Sequence, residues 1–169
     1  MLGQIQPTDN KIYLNIKDGA VVRRTSSGEE KYGYVEGQIA GLYQKDRTFR
    51  GETSKYWYID LRDPQSLETY SIGFSYSSNV FKSIVLSLAS DDGLNAATMV
   101  RIEPYLKNGY DKVVVWSEGV KLDWIVKSLP PVKDLNVGGR VIKDDSERMA
   151  VICSYASQIV NRITNKIVK

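Results

Sequence analysis

Two-residue alternation of apolar and polar positions dominates the first two thirds of this chain, and helical spacing appears in two places. Ile12, Leu14 and Ile16 alternate with polar neighbours, and Asp18-Gly19 separates them from Ala20-Val21-Val22. Asp-Gly between β-prone runs marks a hairpin, because both central residues accept positive φ. The polar segment Thr25–Glu30 reads as a loop, so residues 1–30 predict an N-terminal hairpin extension. A further strand is predicted from Tyr34 to Tyr43, with Gly37 and Gly41 allowing a sharp bend. Gln44–Ser54 then reads as a long loop. In Lys55–Leu61, Trp57, Ile59 and Leu61 alternate with Tyr56, Tyr58 and Asp60, which predicts a strand with the first set inward. Glu68–Tyr76 repeats the pattern: Tyr70, Ile72, Phe74 and Tyr76 on one face, Thr69, Ser71, Gly73 and Ser75 on the other. The small residues of the second set leave an open floor.

The period then changes. Val80, Phe81, Ile84, Val85 and Leu88 fall on one helical stripe, with Ser77 or Ser78 placed to cap its start and Asp91-Asp92-Gly93 to stop it. Met99–Leu106 and Tyr110–Trp116 predict two more strands around a turn at Lys107-Asn108-Gly109. Residues 31–119 therefore read as three strands, a helix and two strands. Residues 120–143, with Leu129-Pro130-Pro131-Val132 and the loop-like Asn136-Val-Gly-Gly, read as a connector. Residues 144–169 predict an amphipathic helix, with acids at 144, 145 and 147 suited to its positive end. Its stripe from Met149 to Ile167 packs either on its own domain or on a second subunit or replication partner.

Composition narrows the chemistry. Histidine is absent and Cys153 is the lone cysteine. A zinc site and a histidine-based nucleophilic triad therefore lack their parts. A single cysteine fits a reducing, cytoplasmic setting, and no apolar run is long enough to span a bilayer. Glu29-Glu30-Lys31 resembles a nuclease fragment but has no second acid placed beside it, and no phosphate-cradling glycine motif occurs. An enzyme would have to work with carboxylates, lysine or tyrosine alone, and no paired set stands out. The expectation is a non-enzymatic protein with no cofactor and no metal. The net charge of +3 is compatible with a polyanion partner without demanding one.

The aromatics say more. Ten of the 17 lie within residues 31–76 with basic residues interleaved. Bases stack on aromatic rings while Lys and Arg follow phosphates, so this segment predicts a single-stranded nucleic-acid surface. Tyr56 and Tyr58 with Arg62 form one candidate group. Lys45, Arg47, Phe49, Arg50 and Lys55, in and beside the first long loop, form the second. Lys107, Tyr110 and Lys112 around the later turn form a third. A one-residue slip in strand register would exchange the two tyrosines for Trp57.

The segments Val35-Glu-Gly-Gln-Ile-Ala-Gly-Leu-Tyr, Lys55-Tyr-Trp-Tyr-Ile-Asp-Leu and Val113-Val-Val-Trp, in this strand order, resemble OB-fold single-stranded DNA-binding proteins of phage or mobile-element type. The resemblance implies an α+β, mainly β protein, a five-stranded OB-fold barrel with a helix between strands three and four. It implies non-sequence-specific binding of single-stranded DNA, with RNA as an alternative ligand, in replication, recombination or repair. The contacts would be Tyr56, Tyr58 and Arg62 with Lys45, Arg47 and Phe49. Family members often end in an acidic tail, whereas this chain ends Arg162-Ile-Thr-Asn-Lys-Ile-Val-Lys. The competing expectation is an OB-like structural or protein-interaction module without a nucleic-acid ligand.

Overall fold

Asp18 and Gly19 both adopt positive φ, as the Asp-Gly turn requires, and join strands β1 (Lys11–Lys17) and β2 (Ala20–Thr25). The computed structural model describes residues 11–164. The segment expected to be a loop after β2 instead turns at Ser26-Ser27 and returns as β3 (Gly28–Tyr32), paired antiparallel with β2. Next come β4 (Val35–Phe49), β5 (Glu52–Arg62) and β6 (Thr69–Ser75), helix α1 (Asn79–Ala89), and strands β7 (Met99–Lys107), β8 (Tyr110–Ser117) and β9 (Val120–Lys121). β10 (Lys133–Val137) and β11 (Arg140–Asp144) form a separate hairpin, and α2 (Ser146–Thr164) follows.

The main sheet has nine strands in the order β3-β2-β1-β6-β5-β4-β7-β8-β9, and β1 runs parallel to β6 while the other pairs are antiparallel. This corrects the expected five-stranded OB-fold barrel. Closing β6-β5-β4-β7-β8 into a ring would require β6 and β8 to share an edge. The free edge of β6 is taken by β1, with Leu14 beside Ile72, and that of β8 by β9. The sheet stays open, and the hairpin expected as an accessory is part of it.

Two other expectations change. Gln44–Ser54 is not a loop: β4 and β5 stay paired out to Phe49 and Glu52, around a turn at Arg50-Gly51 with positive φ at both. The connector at 120–143 contains β9 and the β10–β11 hairpin, whose turn uses Gly138 and Gly139.

One face of the sheet is buried beneath the helices. Ile39, Trp57, Ile59, Leu61, Ile72 and Phe74 meet Phe81, Ile84, Val85 and Leu88 of α1 in a single core. Ser78 caps α1 by accepting from the Phe81 amide at 3.2 Å. Trp57 stacks on Phe81 with ring centroids 4.6 Å apart, and its indole N–H donates to the Tyr76 carbonyl at 3.2 Å. α2 lies on α1 and β4, burying Met149, Ile152, Ala156, Ile159 and Ile163. Arg162 donates to the Asp91 carbonyl at 2.8 Å, tying α2 to the end of α1. Ile167, the last residue of the predicted stripe, lies outside the described residues, and among those residues no helix is long and apolar enough to cross a membrane.

Candidate nucleic-acid interface

The opposite face of the sheet carries the tyrosines, and a bulge in β4 decides which ones. Ile39 pairs with Leu61 but Gly41 with Asp60, so Ala40 is an extra residue. Before it, Val35, Gly37 and Ile39 share the core face; after it, Leu42 takes the core side opposite Ile59 and Tyr43 turns outward opposite Tyr58. Without the extra residue the parity would invert and Tyr43 would enter the core. Gly37 permits the tight coiling of this strand, since a Cβ there would stand 2.9 Å from the Arg62 carbonyl oxygen.

Across the sheet the outward positions run Arg24 and Val22 on β2, Tyr13 and Asn15 on β1, Ser71, Gly73 and Ser75 on β6, Asp60, Tyr58 and Tyr56 on β5, and Tyr43, Lys45 and Arg47 on β4. β1 and β6 stay paired only as far as Leu14 and Ile72, while β1 continues with β2 to Lys17. Beyond that point a cleft of about 980 Å³ opens. It lies at the upper end of the roughly 300–1,000 Å³ typical of small-ligand sites. Tyr13, Tyr43, Tyr56, Tyr58, Arg24, Lys45 and Arg47 line it, over a floor at Gly73 and Ser75.

Two rings are fixed. Tyr43 stacks on Tyr58 at 5.7 Å between centroids. The Tyr43 hydroxyl donates to Asp60 at 3.2 Å, and the Lys11 ammonium donates to that hydroxyl at 3.1 Å and pairs with Asp60 at 3.0 Å. The hydrogen bond to Tyr43, and then the one to Asp60, raise the Lys11 pKa above the ordinary lysine value, outweighing the effect of burial. Tyr58 is only 7% exposed, and a Cβ on Gly73 would stand 3.1 Å from its ring. Glycine is what lets that ring lie flat on β6.

The other two rings are more open. Tyr13 is 51% exposed. Tyr56 is half-buried beneath the Arg47 guanidinium, 4.9 Å from the ring centroid. Asp46 and Asp111 also line the cleft, and Asp111 accepts from the Gly19 amide at 2.7 Å, fastening the β1–β2 turn to β8.

Of the residues singled out in the sequence, the structure brings Lys45, Arg47, Tyr56 and Tyr58 together in this cleft. The parity expected for β5 holds: Trp57 is in the core and the two tyrosines are opposite. The others lie elsewhere. Phe49 and Arg50 are at the tip of the β4–β5 ribbon, where Phe49 is 73% exposed and Arg50 lies over its ring. Lys55 is exposed on the side of the ribbon opposite Tyr56. Arg62 shares the face of Tyr56 but lies six residues further along β5, about 20 Å at ~3.3 Å per residue. Lys107, Tyr110 and Lys112 alternate with Leu106 and Asp111 on the β7–β8 hairpin, and Asp111 rather than they lines the cleft.

Sequence reasoning missed Lys11, Tyr13, Arg24, Tyr43 and Asp60. Tyr13 had a signal, as an outward aromatic in an alternating strand; Tyr43 depended on a bulge that no residue pattern announces. No family model, curated protein or solved structure matches the chain.

Proposed function

We propose that the cleft binds single-stranded nucleic acid without sequence preference, by stacking of bases on tyrosine and neutralisation of phosphates by arginine and lysine. The observation that carries this reading is the placement of four tyrosines and Arg24, Lys45 and Arg47 around one solvent-open floor at Gly73. Ring faces are useful to unpaired bases, whose own faces are open; in a duplex those faces are already stacked. An aromatic side chain that stacks a base contributes ~1–3 kcal/mol, whatever the base. A protein partner is the rival occupant, because tyrosine is equally at home in interfaces. Charge favours the polyanion: Arg24, Lys45 and Arg47 line the cleft against Asp46 and Asp111; Asp111 is engaged by Gly19 and Arg24 lies 3.9 Å from Glu29.

Fluorescence anisotropy of a labelled oligo-dT and of an equal-length duplex, titrated with the protein at several salt concentrations, tests the proposal. Binding to the single strand, weakened by Tyr56→Ala, supports it. With three phosphate contacts, log K falls against log salt with a slope of about −2, at ~0.7 per phosphate. Absence of binding at low salt overturns it.

A further inference from the structure

The rings of the cleft are not equally available to a base. Tyr43 has Tyr58 on one side and the Lys11 ammonium 5.1 Å from its centroid, and its hydroxyl is tied to Asp60. Tyr58 lies between Tyr43 and Gly73. Using either face means breaking into a hydrogen-bonded cluster in which Tyr58 and Asp60 are buried and Tyr43 and Lys11 half-buried. Tyr56 differs. An exposed side chain, Arg47, lies over its ring with the guanidinium 4.9 Å from the centroid, and Arg47 makes no ion pair among the described residues.

We propose that Arg47 is a displaceable cap on Tyr56. In the free protein its guanidinium occupies the ring face; when a single strand enters, a base takes that place and the guanidinium moves to the adjoining phosphate. The register makes the exchange short. Lys45 is directly opposite Tyr56 and Arg47 opposite Ser54, so Arg47 reaches the ring diagonally, from the next outward position along β4. A planar cation and a planar base are alternative occupants of the same π face. The move also improves the contacts of Arg47, since a solvent-exposed cation–π contact is weak whereas a phosphate accepts two charge-assisted hydrogen bonds from a guanidinium. Tyr43 and Tyr58 then act as a fixed wall, and Tyr56 as a ring that stacks.

This inference rests on the nucleic-acid reading of the cleft, and its test separates the two. The Arg47 Nε–Hε resonance of ¹⁵N-labelled protein is assigned by its loss in Arg47→Lys. Its ring-current shift in the free protein is confirmed by its disappearance in Tyr56→Leu. On titration with oligo-dT the resonance is expected to leave its ring-shifted position and to exchange more slowly with water as it bonds to phosphate. Arg47→Ala is expected to make the salt slope shallower by ~0.7 and to approach wild-type affinity as salt rises. Saturating binding with the Arg47 resonance still ring-shifted overturns the cap while leaving the nucleic-acid reading in place. No binding by the wild-type protein overturns both.

Discussion

Tyr43 and Tyr58 stack across the β4–β5 ladder with their planes 22° from parallel, and the Tyr43 hydroxyl ends in a three-way contact with Asp60 and Lys11. This pair joins three strands, since Lys11 comes from β1, Tyr43 from β4 and Asp60 from β5. Asp60 is buried while Lys11 keeps access to solvent, so the pair is worth less than a fully desolvated one. Lys11→Met is expected to destabilise the fold by about 1.5–3 kcal/mol, the range of a hydrogen bond to a charged group. The pH dependence has a definite sign. The folded state raises the Lys11 pKa, so it holds that proton more tightly than the unfolded chain. The contribution is complete below the unfolded value of about 10.4 and is lost as pH climbs through the folded value. Urea unfolding of wild type and Lys11→Met should show a constant difference from about pH 6 to 9, shrinking only in stronger alkali.

Gly73 makes a second, sharper test of the cleft floor. A Cβ at this position would stand 3.1 Å from the Tyr58 ring, tighter than an ordinary van der Waals contact. Gly73→Ala requires the ring to move by a few tenths of an ångström, whereas Gly73→Val adds branches that also fill the floor. Oligo-dT affinity is expected to fall in the order wild type, Ala, Val, with Val losing on the order of tenfold, within the range of one lost stack. Circular dichroism melts of the same proteins show whether the loss exceeds any change in folding.

The parity of β5 predicts opposite behaviour from neighbours in sequence. Trp57 is in the core against Phe81, so Trp57→Ala is expected to cost about 3–5 kcal/mol of stability. Tyr56, half-buried under Arg47, is expected to cost under about 1 kcal/mol in stability when changed to Ala. The same change should weaken single-strand binding by ~1–3 kcal/mol. Equal destabilisation by the two substitutions would mean that Tyr56 is structural.

Those contrasts show which parts of the molecule its sequence makes legible. Strong alternation in Lys55–Leu61 and in the strand after it gave the two sets correctly, because a slip would carry Trp57, Ile59 and Ile72 out of the core. The α1 stripe was equally readable, and of the two capping candidates, Ser77 and Ser78, it is Ser78 that caps the helix. Sheet closure was not. Whether the edge of β6 accepts β8 or β1 depends on long-range competition between two strands that are both competent to pair. Ile12 and Leu14 signal a strand but not its neighbour. The site was half visible for the same reason: Tyr56 and Tyr58 follow from alternation, Tyr43 from a bulge, and Tyr13 and Lys11 from the placement of β1. The basic residues around Phe49 resemble a loop in their charge, yet pairing with β5 extends them into a ribbon.

Lys82 provides the last prediction, in helix α1 rather than on the sheet. It sits in α1 and is buried although charged, and burial lowers its pKa. The Asp145 carboxylate opposes that shift and Arg148 reinforces it, so the ammonium is under-compensated. A folded value below the unfolded one means that the unfolded chain binds more protons in the window between them. Stability therefore rises with pH across that window, up to about 10.4 where the unfolded lysine titrates. Lys82→Met keeps the long aliphatic stem and removes the charge, so it is expected to stabilise the protein at neutral pH by on the order of 1 kcal/mol. It should also flatten the rise on the alkaline side. Chemical denaturation of both proteins at neutral and mildly alkaline pH checks the two effects together. A destabilised Lys82→Met would show that the electrostatic attraction of Lys82 to Asp145 outweighs the cost of burying it.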